Sequence, residues 1–171
     1  AGKDYSVKDG DHVRRPDAVV FVNGIPLAVF ELKNAADPQA DINQAFRQLQ
    51  TYKSQIASLM RFSEILVVSD GLVAQAGTVT SGAERFMPWK TIEGETLAPE
   101  WMPQLEVLVR GMFDKRRFLD LVRHFIVFED AGDSGISKKI AGYHQFHAVD
   151  RAVEQTLRAS AATDTALLAA E

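Results

Sequence analysis

No cysteine occurs among the 171 residues. Disulfide frameworks and thiolate metal centres are therefore excluded, and a cytoplasmic setting is the natural expectation. Long apolar runs are missing too: stretches such as Ala18 to Val22 and Ile65 to Val68 fall far short of the roughly 20 residues that a membrane-spanning helix needs. The chain opens on Ala-Gly-Lys-Asp-Tyr, without the apolar segment of a secretory signal. It also lacks a starting Met, which sets the expectation of a piece of a longer protein. Basic surplus is absent as well, with 19 Lys and Arg against 23 Asp and Glu and a net charge of −4. A protein that holds duplex DNA unaided is usually basic, because phosphate neutralisation supplies most of the affinity. Here the cations come only in small groups, Arg14-Arg15, Lys115-Arg116-Arg117 and Lys138-Lys139. A DNA substrate would have to be delivered by something else.

Several catalytic signatures are absent. There is no GxSxG and no thiol, so acyl transfer has no support. His12, His124, His144 and His147 form no HExxH pattern, and His144 and His147 lack further ligands nearby, which argues against zinc. The phosphate-cradling loop GxxxxGK[ST] does not occur, so this stretch of chain should not hydrolyse ATP.

What is present is an ordinary globular composition, 46% apolar and 25% charged, enough for one domain or one domain with part of the next. Residues 5 to 33 read as strands. The runs Asp17 to Val22 and Ile25 to Phe30 flank Asn23-Gly24, a strong hairpin signal. Both runs are apolar on both faces, which predicts central strands covered by helices. From Pro38 to about Leu59, apolar residues Ile42, Ala45, Leu49, Tyr52 and Ile56 recur at helical spacing. Ile65 to Val68 reads as a short buried strand, turned by Asp70-Gly71, and residues 77–94 as loop and short strand around Phe86 and Trp89. Helices are expected from Pro103 to Phe113 and from Phe118 to Phe125. Residues 129–138 are a linker by composition. A last amphipathic helix starts near Tyr143 and carries Phe146, Val149, Val153 and Leu157. Strands followed by helices on their faces define an α/β domain.

The chemistry concentrates at Arg15-Pro16-Asp17 and, at the far end of the next strand, Glu31-Leu32-Lys33. Side chains alternate along a strand, so Glu31 and Lys33 share a face. Two carboxylates on neighbouring strands, Asp17 and Glu31, can hold a hard divalent cation such as Mg²⁺ through oxygen. Such an ion stabilises charge on an attacked phosphodiester and acidifies a bound water. Lys33 beside them can position that water or offset phosphate charge. An Asp and an ExK arise often by chance, but these end a run of buried-looking residues, where a charge is costly unless paired or metal-bound.

Pro16-Asp17 followed by Glu31-Leu32-Lys33 across a hairpin resembles the PD-(D/E)xK nuclease superfamily. Gln48 and Tyr52, four apart on one helix face, match the QxxxY element of one branch. The resemblance implies that both support the metal ligands or contact DNA. It also implies a restriction-endonuclease-like core, a mixed central sheet flanked by helices, followed here by C-terminal helices. The longer string from Arg15 to Asn34, with Ser69-Asp70-Gly71, Arg85-Phe86 and Trp89-Lys90, looks like the restriction (R, HsdR) subunit of type I restriction-modification enzymes. That family implies Mg²⁺-dependent cleavage of double-stranded DNA inside a complex with methyltransferase and specificity subunits. Lys138 to Val149 resembles the entry to the family's helicase motor, where Gln145 would read adenine, with ATP relevant only to the full-length protein. The corresponding division is a nuclease domain over 1–128, a linker over 129–138 and the start of a helicase region over 139–171. Two rivals stand beside this reading: another nuclease of the superfamily, such as a repair or junction-resolving enzyme, and a non-enzymatic docking module.

Two features depart from a simple version of the site. Many superfamily members add an acidic residue from a helix before the first strand, whereas only Asp4, Asp9 and Asp11 precede it here. A strict two-residue turn at Asn23-Gly24 would pair Val22 with Ile25 and Asp17 with Phe30, turning Asp17 away from Glu31 and Lys33. Convergence of the three requires a one-residue offset in the hairpin, and that offset is expected.

Overall fold

The computed structural model describes residues 5–34, 41–130, 132 and 135–168, with side chains as far as residue 161. A four-stranded mixed sheet forms its centre, in the order β3 (Ala18–Val22), β4 (Ile25–Leu32), β5 (Ile65–Ser69), β6 (Ala74–Thr78). β3 and β6 run antiparallel to their neighbours, while β4 and β5 are parallel. The parallel pair is joined through a crossover that carries α1 (Ile42–Gln55) and the short α2 (Ala57–Met60), the kind of connection a parallel pair requires. The helical start expected at Pro38 lies outside the described residues. Within them α1 begins after Asp41, whose carboxylate caps it by accepting the Asn43 N–H at 2.8 Å.

Alternation along the strands sorts the apolar side chains into two cores. Val19, Val29, Leu66 and Val68 point to the face covered by Ala45, Leu49, Tyr52 and Ile56 of α1 and by Leu59 and Met60 of α2. Ala28, Phe30, Ile65, Val67 and Ala76 point to the other face. There they meet Leu108 of α3 (Gln104–Gly111), Phe118 and Leu121 of α4 (Lys115–His124), and Phe146 of α5 (Tyr143–Leu168). Helix, sheet and helix thus form three layers. No helix among the described residues is long and apolar enough to cross a membrane.

Three expectations need correction. β3 is an edge strand of the four-stranded sheet, not a central one. Its apolar residues are explained by partial cover, since Ala18, Val20 and Val22 pack beside one core while Phe21 lies against the other and against the Tyr5 ring. The stretch 129–138 is not plain linker: β7 (Ile126–Asp130) and β8 (Ile136–Ile140) pair as an antiparallel hairpin. Gly132 and Gly135, which suggested a linker, lie between the two strands, and Lys138 ties the hairpin back through its ion pair with Glu64 at 2.7 Å. In α5, Phe146 is buried, but Val149, Val153 and Leu157 are exposed, because the helix leaves the body after His147.

A smaller hairpin, β1 (Val7–Asp9) with β2 (His12–Arg14), packs against the α1 side. Asp9 accepts the Ser58 N–H at 2.8 Å, and hydrogen bonds from Ser58 hold its carboxyl below the usual range.

Candidate active site

The local geometry is set by the β3–β4 hairpin. Asn23 and Gly24 both adopt positive φ, 50° and 83°, the conformation of a type I′ turn. Val22 faces Ile25 and Phe21 faces Pro26, but Val20 then faces Ala28. The register shifts between Val20 and Phe21, which leaves Leu27 as the extra residue. Beyond the shift, Val19 opposes Val29 and Ala18 opposes Phe30. Asp17 continues that register and stands opposite Glu31, on the α1 face shared by Val19 and Val29. The offset that the sequence required is present.

Asp17 is exposed, and its Oδ2 accepts the Leu32 N–H at 2.7 Å. This bond pins the carboxylate to the backbone between Glu31 and Lys33. Glu31 is only 5% exposed. Its Oε1 accepts from Lys33 Nζ at 2.7 Å and its Oε2 from the Tyr52 hydroxyl at 2.8 Å. Burial pushes the Glu31 carboxyl above its usual range, the bonds from Lys33 and Tyr52 oppose this, and the nearby Asp17 charge adds to it. A site that buries one carboxylate and sets another of like charge beside it favours a cation.

Tyr52 comes from the middle of α1, where it is held in the core at 3% exposed. Burial and the adjoining Glu31 raise its phenol well above the ordinary range, so it stays protonated and donates. Gln48, one turn earlier on the same face, acts on this phenol in the opposite direction, lowering its pKa. The Arg15 carbonyl lies 3.4 Å from the same hydroxyl. All five residues singled out in the sequence therefore meet at one end of the sheet. Lys33 N–H also donates to the Ser69 carbonyl at 2.7 Å, which sets the end of β5 beside them.

Gln145 is not part of this cluster. It is exposed on the first turn of α5, and its amide oxygen accepts the Gly142 N–H at 2.9 Å, which closes the start of the helix. His147 is also a structural residue: its Nε2 bonds Thr91 Oγ1 at 2.8 Å, and burial pushes its pKa down. No group of three or more His, Cys, Asp or Glu side chains is placed to hold a metal among the described residues. The acidic pair is thus the whole carboxylate set in view, and a Mg²⁺ site that completes its shell with water and substrate oxygen needs no more.

One contact beside the site was not anticipated. Arg14, at the end of β2, donates from Nε to the Gln55 side-chain oxygen at 2.6 Å. Gln55 lies three residues beyond Tyr52, so it extends the row of Gln48 and Tyr52 along α1. Helical spacing was the available signal on one side; nothing local marks Arg14 as its partner.

A mixed sheet between helical layers, with two carboxylates and a lysine gathered at one end, is an architecture consistent with nucleases. Residues 3–85 match the sequence profile of the family described as type I restriction enzyme R protein N terminus. That segment belongs to the family. It is 40% identical over 149 residues to the type I restriction enzyme HindI endonuclease subunit of Haemophilus influenzae, an alignment covering 86% of this chain and 14% of that protein. It is 33% identical over 171 residues to the putative type I restriction enzyme MjaIXP endonuclease subunit of Methanocaldococcus jannaschii, covering 91% of this chain and 16% of that protein. The chain thus spans only a small part of the length of the relatives it matches.

Proposed function

We propose that this chain is the nuclease portion of a type I restriction subunit and cuts double-stranded DNA at the Asp17–Glu31–Lys33 cluster. The observation that carries the proposal is the register shift in β3–β4, which brings Asp17 opposite Glu31 on the face that Lys33 shares. A hairpin without it would separate the two carboxylates.

Asp17 and Glu31 would hold Mg²⁺, and their pairing of like charges at the end of the sheet fits a hard cation. When bound, the ion supplies Lewis-acid stabilisation of phosphoryl charge and a more acidic water. Tyr52, kept protonated, orients the Glu31 carboxylate through Oε2, and Gln48 steadies Tyr52. Asp17 is oriented by the Leu32 N–H. Lys33 places a positive charge beside Glu31, where it can offset phosphate charge or hold the attacking water.

The net charge of −4 suits a component to which DNA is brought, with translocation driven by ATP elsewhere in the full-length protein. Methyltransferase and specificity subunits would supply methylation and sequence choice, in the cytoplasm. In this reading residues 1–128 form the nuclease unit and 139–171 open the helicase region, where Gln145 would contact adenine once the remaining motor is present.

The test uses the full restriction complex. Asp17→Ala or Lys33→Ala should abolish cleavage of unmodified DNA while ATP hydrolysis continues. Cleavage at the normal rate by both variants would refute the nuclease role and favour a docking module.

A further inference from the structure

We infer that Arg14, held by Gln55, is a phosphate-binding residue that seats the DNA backbone next to the Asp17–Glu31–Lys33 cluster; the inference rests on the nuclease reading above.

Arg14 is only partly exposed, and its hydrogen-bond partners among the described residues are both neutral. Nε donates to the Gln55 side-chain oxygen at 2.6 Å and Nη1 to the Val13 carbonyl at 3.1 Å. Among the described residues no carboxylate lies within ion-pair distance of it, in contrast to Lys33, Arg110, Lys138, Lys139, Arg151 and Arg158. A half-buried guanidinium is ordinarily matched with an acid, since partial loss of hydration leaves its charge poorly compensated. Here two neutral acceptors fix the plane of the group and leave its charge available. That combination, a fixed plane with no carboxylate beside it among the described residues, suits a phosphate oxygen.

The position suits the same ligand. Gln55 stands one turn past Tyr52, about 4.5 Å along the helix axis. Arg14 is also two residues ahead of Pro16 and three ahead of Asp17, and the intervening Arg15 carbonyl lies 3.4 Å from the Tyr52 hydroxyl. A phosphate bound by Arg14 would therefore lie beside, and not upon, the one being cut. For a chain with no basic surplus, such a fixed cation is an efficient way to hold DNA in place at the site.

Gln55→Glu separates this role from a structural one. The substitution preserves the link to Arg14 and strengthens it to an ion pair, but it cancels the charge. In the full restriction complex, single-turnover cleavage should fall about tenfold or more for Gln55→Glu and for Arg14→Ala, with ATP hydrolysis unchanged. The melting temperature of Gln55→Glu should be equal to or above that of the parent, and Arg14→Lys should recover part of the rate. Gln55→Glu cutting at the parental rate would overturn the inference. Asp17→Ala run in parallel tells the two failures apart. If it cuts normally, the nuclease reading falls and takes this inference with it; if it is inactive while Gln55→Glu is fully active, only the role of Arg14 is lost.

Discussion

Tyr52 and Glu31, on different elements and 21 residues apart, are joined by a buried hydrogen bond of 2.8 Å in which the phenol donates to Oε2. The bond couples the helix to the strand end, so the carboxylate orientation depends on the seating of α1. Tyr52→Phe removes the donor and leaves a buried carboxylate oxygen short of a partner. The expected cost is about 1–3 kcal/mol of stability, read by denaturant unfolding. Cleavage by the full complex should also fall about tenfold, and an unchanged rate would show that this bond does not orient the site.

Glu31 supplies a pH signature. Its carboxyl is raised above the ordinary value of 4.5, chiefly by burial. The folded state then binds a proton more readily than the unfolded chain. The Glu31 contribution is therefore most favourable below 4.5 and declines as pH rises through the folded pKa. Glu31→Gln removes the titration. With chelator present, the stability of the variant relative to the parent should increase between about pH 4 and the raised pKa, then level off. A difference that stays flat, or moves the other way, would contradict the burial argument.

Asp17 offers a cleaner separation of fold from chemistry. Its Oδ2 is bonded to the Leu32 N–H, a role that an asparagine oxygen can also fill. Asp17→Asn should remain within about 0.5 kcal/mol of the parent in stability. Its affinity for Mg²⁺, measured by titration calorimetry, should fall at least about tenfold. Equal affinity in the two proteins would remove Asp17 from the metal site.

Away from the site, Gly111 marks where α3 approaches the strand-like segment at Thr91. A Cβ there would stand 2.5 Å from the Trp89 indole nitrogen and closer still to the Thr91 carbonyl oxygen. Since a backbone atom is involved, relief requires movement of the helix. Gly111→Ala should destabilise the protein by about 3 kcal/mol, while an alanine that leaves the melting temperature unchanged would show that the helix can shift freely.

Much of this site is legible in the sequence because it is local. Asn23-Gly24 announces its turn, and the spacing of Asp17, Glu31 and Lys33 forces the question of register. Gln48 and Tyr52 share a helix face by arithmetic alone. The parts that are not legible depend on distant cover. Whether β3 is central or at an edge is decided by what lies alongside it, and Val20 or Val22 reads the same either way. The β7–β8 hairpin escapes notice because its apolar residues Val127, Phe128 and Ile136 are exposed, so burial leaves no periodic imprint. Arg14 and Gln55 are 41 positions apart, and neither carries a hint of the other.

The register shift at Leu27 makes the hairpin behave like a reading frame. Leu27 is the residue that the pairing skips, so its loss would leave Val20 opposite Ala28 and Asp17 opposite Glu31 in an unbroken ladder. Losing a paired residue of β3, between Asp17 and Val20, would instead set Asp17 opposite Phe30 and turn it to the other face, with every side chain of the cluster chemically intact. A matching loss from β4, between Ala28 and Glu31, would restore the pairing. Two length changes, each damaging alone, should therefore cancel, so it is the relative length of the two strands that this hairpin has to keep in step.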